Sequence, residues 1–249
     1  MKKTLLTTIA LLLTAAFGFA QSMNEATELA QAANDAWGNK DFAAAIAGFQ
    51  KALPIAEACG EEGADLVQTC KTAIPKIAMS AAKEKINSKE YEEGISALKD
   101  VITLAEKYGV DELAAEAESL IPTVEQERVK GLFLAAETLY QEGKLDEALE
   151  AFKVAADNGS ENASKRIITV LSKKTQAALQ AGKLNDAVAN YDLLKEADPE
   201  NANLSSFAYN IAASYYKAKN TAKAKEWFKK IVNDPKYGET AKKMVAAIK

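Results

Sequence analysis

Residues 143–155 read GKLDEALEAFKVA, and residues 182–194 read GKLNDAVANYDLL. In both stretches a short Gly-Lys-Leu turn is followed by apolar residues three and four positions apart, the period of one buried helical face. Three more segments align with these two without gaps, and their first aligned residues, Asp41, Glu90 and Asn220, match Lys144 and Lys183, where the aligned segments of the two stretches begin. Five copies in one register indicate a repeat array in which each segment is the second helix of a hairpin.

Small and large side chains recur at fixed positions in every copy. A small residue lies eight positions before each aligned segment, at Ala33, Ala82, Ala136, Thr175 and Ala212. A second small residue lies inside each segment, at Ala45, Gly94, Ala148, Ala187 and Ala224, and a large one follows four positions later, at Phe49, Leu98, Phe152, Tyr191 and Phe228. Small residues let antiparallel helices approach closely, and the large residue fills the space beside them.

The composition agrees with an all-helical chain. Among 249 residues there are 49 Ala but only 12 Gly and 5 Pro, and Ala, Leu, Glu and Lys lose little on entering a helix. The chain contains no His, which removes the commonest general base and metal ligand. No nucleotide-binding or hydrolase motif and no calcium-binding loop occurs, so the sequence predicts no enzyme, no cofactor and no metal site.

The first twenty residues have the pattern of a secretory signal peptide. Two lysines are followed by an uncharged, Leu- and Ala-rich stretch that ends in the small-residue frame Gly18-Phe19-Ala20. An uncleaved anchor is the rival interpretation, but the strongly apolar part is shorter than the ~20 residues that span a bilayer. We therefore expect cleavage after Ala20 and a periplasmic or secreted protein without membrane insertion. No Cys lies at the cleavage point to carry a lipid anchor.

The segments resemble the tetratricopeptide repeat (TPR) family. The Gly-Lys-Leu turns, the Ala-x3-aromatic spacing of Ala148 and Phe152, and the closing Pro199 and Pro235 carry the resemblance. It implies a right-handed superhelical solenoid of about five hairpins over residues 21–249, the predicted domain after the signal peptide. The repeats are expected at about 26–60, 64–109, 111–158, 162–199 and 203–235, with a capping helix at 237–249.

In the TPR family the concave wall of the solenoid binds peptides or proteins. The resemblance therefore implies a non-enzymatic adaptor that holds an envelope protein or peptide, and a small-molecule or glycan binding module is the alternative. A hydrolase that uses paired carboxylates is a weaker third hypothesis. Matching positions predict a wall formed by Asn34, Trp37, Met79, Lys83, Phe133, Glu137, Tyr140, Lys173, Gln176, Gln180, Tyr209, Asn210, Tyr216 and Lys217. For Trp37, Phe133 and Tyr216, packing in the core is an equally open interpretation.

Three further questions stay open from the sequence. Cys59 and Cys70 either form a disulfide or remain buried thiols, and no Cys-x-x-Cys motif suggests redox catalysis. Pro75 and Pro122 lie inside helical stretches, where each predicts a bend or a fresh helix start. The formal net charge of −4 predicts no nucleic-acid partner, while a homo-oligomer is left open.

Overall fold

The computed structural model describes residues 22–248, and every regular element in that range is helical, which confirms the all-α prediction. The first helix, α1, covers residues 22–38 of the described chain. The others are α2 (Phe42–Ala58), α3 (Ala64–Asn87), α4 (Tyr91–Tyr108), α5 (Asp111–Gln141), α6 (Leu145–Asp157), α7 (Glu161–Gln180), α8 (Leu184–Ala197), α9 (Leu204–Lys217), α10 (Thr221–Lys229) and α11 (Gly238–Ala247). A short 3-10 turn, Gly60–Gly63, joins α2 to α3. The predicted signal peptide lies outside the described residues.

The five aligned segments begin at the starts of the even-numbered helices. Asp41 and Asn220 act as side-chain N-caps, because their Oδ1 atoms accept hydrogen bonds from the backbone N–H groups of Ala44 (3.0 Å) and Lys223 (3.2 Å). The corresponding turns before α6 and α8 contain Gly143 and Gly182, which have φ angles of +76° and +70°. Glycine takes this left-handed backbone without steric cost, so the chain can reverse between antiparallel helices.

The repeated small and large residues form the cores of the hairpins. All five small residues of the first helices and all five of the second helices are buried. The large residues Phe49, Leu98, Phe152, Tyr191 and Phe228 are buried too. Gly48 and Gly94 mark close approaches between paired helices, since a Cβ atom there would lie 2.7 Å from Ala33 Cβ and Ile86 Cγ1, respectively. The recurring small and large residues that the sequence predicts to pack together are therefore buried in the core.

The chain forms two compact units, the first ending at Arg128 and the second beginning at Val129. In the first unit, helices α1 to α4 pack with the N-terminal part of α5 around two apolar clusters. In the second unit, the C-terminal part of α5 and helices α6 to α11 share one apolar cluster. The sequence predicts one array over residues 21–249, and the described part of it comprises these two units.

Two helices are longer than those of a minimal hairpin, as the wide spacing of the first repeats indicates. Helix α3 has 24 residues and includes Pro75, and α5 has 31 residues and includes Pro122. Neither proline starts a new helix, so the fresh-start alternative is wrong for both. Cys59 and Cys70 lie at either side of the turn between α2 and α3, and both are buried thiols that no disulfide joins.

The last helix caps the second unit. Asp234 Oδ1 accepts hydrogen bonds from the backbone N–H groups of Lys236 and Tyr237, both at 2.8 Å, and fixes the turn before α11. Ala241 and Ile248 then cover the end of the apolar cluster. Among residues 22–248, none of the helices combines the length and the apolar character that crossing a bilayer requires.

Candidate functional site

A groove of about 760 Å³ lies in the second unit, along the first helices of its hairpins. Its walls come from the end of α5, from α7 and from α9, and we call it the α5–α7–α9 groove. The described lining residues are Tyr140, Ser172, Lys173, Gln176, Leu179, Gln180, Asn203, Ser206, Phe207, Asn210, Ala213, Ser214 and Lys217. The volume falls within the roughly 300–1,000 Å³ of typical ligand sites.

Helical geometry explains why these residues share one wall. On α7 the lining positions are spaced by three and four residues, as they are on α9 from Ser206 to Lys217. The opposite faces of both helices carry the core, where Thr175 and Ala212 are fully buried. Thr175 is held there by its hydroxyl group, which donates to the Leu171 carbonyl at 2.8 Å. One side of each helix is therefore fixed by packing and the other is presented to the groove.

Tyr140 marks the α5 side of the groove, and two cations flank its ring. Lys173 Nζ lies 4.6 Å from the ring centroid, and the Arg166 guanidinium carbon lies 5.4 Å from it. A cation near an aromatic face is attracted by the ring quadrupole. The ring is thus engaged by side chains of α7, and Lys173 is held beside the groove.

The groove is basic and rich in hydrogen-bonding groups. Lys173 and Lys217 are charged, four lining side chains are amides, three are serines, and none of the described lining residues is acidic. Glu137 lies one turn from Tyr140 on α5, but its carboxylate is bound by the Arg166 guanidinium through two hydrogen bonds. The charge of the Glu137 carboxylate is therefore compensated within the protein.

The structure brings six of the predicted wall residues into this groove: Tyr140, Lys173, Gln176, Gln180, Asn210 and Lys217. It places three predicted aromatic residues elsewhere. Phe133 packs on Phe152 with ring centroids 5.7 Å apart. Tyr209 stacks on Tyr237 at 5.0 Å and makes an edge contact with Phe228 at 5.8 Å, so its ring serves the cap. Tyr216 is 49% exposed but does not line the groove.

The four predicted wall residues of the first unit have separate surroundings. Met79 is buried in an apolar cluster, which contradicts its assignment to the wall, and half-buried Trp37 packs against another cluster. Asn34 is exposed. Lys83 is exposed and its Nζ pairs with Glu116 Oε1 at 2.8 Å. A ligand-binding role for Asn34, Trp37 and Lys83 stays a prediction.

Some groove residues, and the neighbouring Arg166, were not predicted from the sequence. The serines and Asn203 lie on the same helical faces as the predicted residues, and heptad spacing from Asn210 would have identified Asn203. Arg166 left no local signal, because its partner Glu137 is 29 positions away in the chain. Within residues 22–248, no three His, Cys, Asp or Glu side chains are grouped so as to hold a metal ion.

Comparisons with known proteins name no family for this chain. No protein-family model matches the sequence, and no curated protein matches it. Among solved structures, the TPR2AB domain of yeast Sti1 in a complex with pHSP90 is 13% identical, with 90% of this chain and 98% of that chain covered and a TM-score of 0.29.

Two other solved structures are similar to the chain at the same level. The TPR domain of P58(IPK) is 18% identical, with 90% of this chain and 65% of that chain covered and a TM-score of 0.26. A tetratricopeptide repeat protein from Parabacteroides merdae is 16% identical, with 91% of this chain and 90% of that chain covered and a TM-score of 0.22. Because these TM-scores are low, the description of the fold rests on the hairpins and their packing pattern.

Proposed function

We propose that this protein is a non-enzymatic adaptor that binds an extended segment of a partner protein in the α5–α7–α9 groove. The observation that carries the proposal is the lining itself, in which amide, hydroxyl and ammonium groups converge on one concave wall. An extended peptide exposes its backbone N–H and C=O groups, and amide side chains such as Gln176 and Asn210 can both donate to and accept from them.

The charges of the groove favour an acidic segment. Lys173 and Lys217 lie on different helices, α7 and α9, and both line the groove. A ligand with carboxylates can therefore contact both helices, and opposite charges across an interface speed association and exclude wrong partners. The groove offers Tyr140 and two lysines as titratable groups, which is a poor set for hydrolysis because a paired acid and base are required.

The glycan alternative has less support. Sugar rings stack on open aromatic faces, but the Tyr140 ring is flanked by Lys173 and Arg166, and Phe207 is buried. The location in the cell envelope is part of the proposal. It is supported by the signal-peptide pattern of residues 1–20 and the predicted cleavage after Ala20.

Site-specific crosslinking in the cell that produces the protein tests this function. A photo-crosslinking amino acid replaces Gln176 in the groove, and a control chain carries it at Lys195, an exposed position on α8. We expect the first chain to capture a protein that the control does not, and mass spectrometry identifies it. Equal capture from both positions, or capture of carbohydrate alone, would contradict the proposal.

The captured partner then allows a binding measurement with purified proteins. We expect K173A/K217A to weaken binding by about tenfold or more, because two charge-assisted contacts are lost. The matched control K165A/K195A removes two exposed lysines from α7 and α8 that do not line the groove. Binding that is equally weak for both variants would show a diffuse charge effect instead of recognition in the groove.

A further inference from the structure

The charges of the chain are strongly segregated. Residues 22–128 contain 20 acidic and 10 basic side chains, a formal charge of −10. Residues 201–249 contain ten lysines and three acidic residues, a formal charge of +7. The modest net charge of −4 for the whole chain hides this difference. The basic excess therefore lies in the last hairpin and the cap, outside the first unit.

Three of these exposed lysines lie in or beside α10, with Lys219 in the turn before it, Lys223 within it and Lys230 at its C-cap, and we call them the lysine face. Lys223 and Lys230 are seven residues apart, a spacing that keeps both on the same side of α10. Lys223 Nζ lies 5.3 Å from the Tyr215 ring centroid, and Lys230 Nζ lies 3.6 Å from that of Trp227. Both rings are buried, so they give the two ammonium groups fixed supports at an exposed surface.

The lysine face lacks the ion pairs that half of the basic residues in the first unit form. In the described part of the chain, Lys219, Lys223 and Lys230 have no carboxylate within ion-pair distance. In the first unit, half of the ten basic residues form ion pairs with glutamates, namely Lys40, Lys71, Lys83, Lys85 and Arg128. A surface of fixed, uncompensated cations indicates an anionic partner.

We propose that the lysine face binds the acidic first unit of a second copy of this chain, so that copies associate head to tail. The first unit offers the complementary charge in every molecule. Its exposed carboxylates Glu61 and Glu62, in the turn between α2 and α3, have no ion-pair partner among the described residues. In a dimer formed by this contact, one copy still has a free lysine face and the other still has a free acidic first unit. Further copies can therefore bind at both ends.

A bilayer fits the lysine face less well than a second copy does. Helices that lie in a membrane interface expose large apolar side chains beside their lysines. On α10 the large apolar residues Trp227 and Phe228 are both buried in the hairpin, and only the small side chain of Ala222 is exposed among its apolar residues. The large hydrophobic residues that are exposed in the described chain are Leu134, Val154, Leu193 and Tyr216, and none of them belongs to α10. The lysine face thus offers charge without an apolar group to insert.

Sedimentation velocity of the full mature chain at several concentrations tests the proposal. In 50 mM NaCl we expect self-association, and in 500 mM NaCl an apparent dissociation constant that is higher by about tenfold or more, because salt screens exposed charges. We expect K223E/K230E to remain monomeric in 50 mM NaCl. The matched control K165E/K195E changes the net charge equally at exposed positions of α7 and α8 and should associate like the wild type.

A mixing experiment tests the head-to-tail arrangement. E61K/E62K retains the lysine face, and K223E/K230E retains the acidic unit. We expect each variant alone to be monomeric, and an equimolar mixture to form a heterodimer through the one intact pair of surfaces. A monomeric wild type, association that salt does not weaken, an equal loss in K165E/K195E, or a mixture without dimer would overturn the proposal. Binding of the monomeric wild type to phosphatidylglycerol vesicles would assign the lysine face to a membrane instead.

Discussion

Arg166 and Glu137 join α7 to α5 through a two-pronged ion pair, in which Nε and Nη2 of the guanidinium both donate to the carboxylate, Nη2 at 2.9 Å from Oε2. The same guanidinium lies 5.4 Å from the centroid of the Tyr140 ring, at the edge of the groove. One arginine thus ties two helices together and compensates the charge of Glu137. The same contact therefore stabilises the packing of α7 on α5 and neutralises a carboxylate on the helix that borders the groove.

Arg166→Ala should destabilise the protein by about 1–3 kcal/mol, because the Glu137 side chain is only 13% exposed and would lose its partner. Urea unfolding followed by circular dichroism measures the loss. Adding Glu137→Gln should restore part of the stability, since the uncompensated charge is then removed. The control Lys153→Ala breaks an exposed pair with Glu150 and should cost less than about 0.5 kcal/mol. Equal losses in both single variants would contradict this prediction.

Gly63→Ala should destabilise the first unit by about 2 kcal/mol or more. A Cβ atom at Gly63 would lie 1.9 Å from the Ala56 carbonyl oxygen, and the backbone of α2 cannot give way as a flexible side chain can. Gly38→Ala is the matched control, because a Cβ atom at Gly38 meets nothing within 4 Å and the position is helical. That change should be neutral or stabilise by up to ~1 kcal/mol. Thermal melting of both variants shows whether the difference has the expected sign.

Phe152→Ala should cost about 3–5 kcal/mol, because this ring is fully buried and packs against Phe133. Phe152→Leu retains most of the volume and should cost much less. Leu134→Ala is the apolar control, since Leu134 is 53% exposed and its loss should change the free energy of unfolding by about 0.5 kcal/mol at most. Urea titrations of the three variants should show the largest loss of unfolding free energy for Phe152→Ala. A larger loss for Leu134→Ala would show that Phe152 does not belong to the core.

The free energy of unfolding should fall as the pH rises above about 9. Burial raises the pKa of the Cys70 thiol above its ordinary value of 9.0, and Glu57 adds to the effect. Burial, with Asp192 as a smaller cause, raises the pKa of Tyr191 above 10.0. Both groups therefore stay protonated in the folded chain at pH values where the unfolded chain releases their protons. The unfolded state then binds fewer protons, so alkali favours it.

Chemical denaturation at pH 7 to 10 measures this decline. The stability that the two protonated groups contribute is fully present below pH 9 and is lost as the pH passes through their raised pKa values. C70A/Y191F removes both groups, and its free energy of unfolding should vary less with pH than that of the wild type. The same slope in both proteins would assign the alkaline loss to other groups, the lysines above all.

Sequence and structure agree most closely on the hairpins. The recurring small residues, such as Ala136 and Ala148, and the large partner Phe152 are buried as the spacing predicts. This part was predictable because a helix converts sequence spacing directly into a face. The aromatic residues of the first helices were less predictable, since Phe133 and Tyr209 pack against rings of other helices while Tyr140 borders the groove.

The sequence by itself determined that the chain is helical, where each hairpin turns and which residues form the core, because these features depend on neighbours within a few turns. Only the tertiary structure decided that Arg166 compensates Glu137 and that Lys173 and Lys217 line one groove. The pairing of Arg166 with Glu137, and the sharing of the groove by α7 and α9, depend on which helices pack side by side and at what rotation. A local pattern of spacing does not encode those quantities.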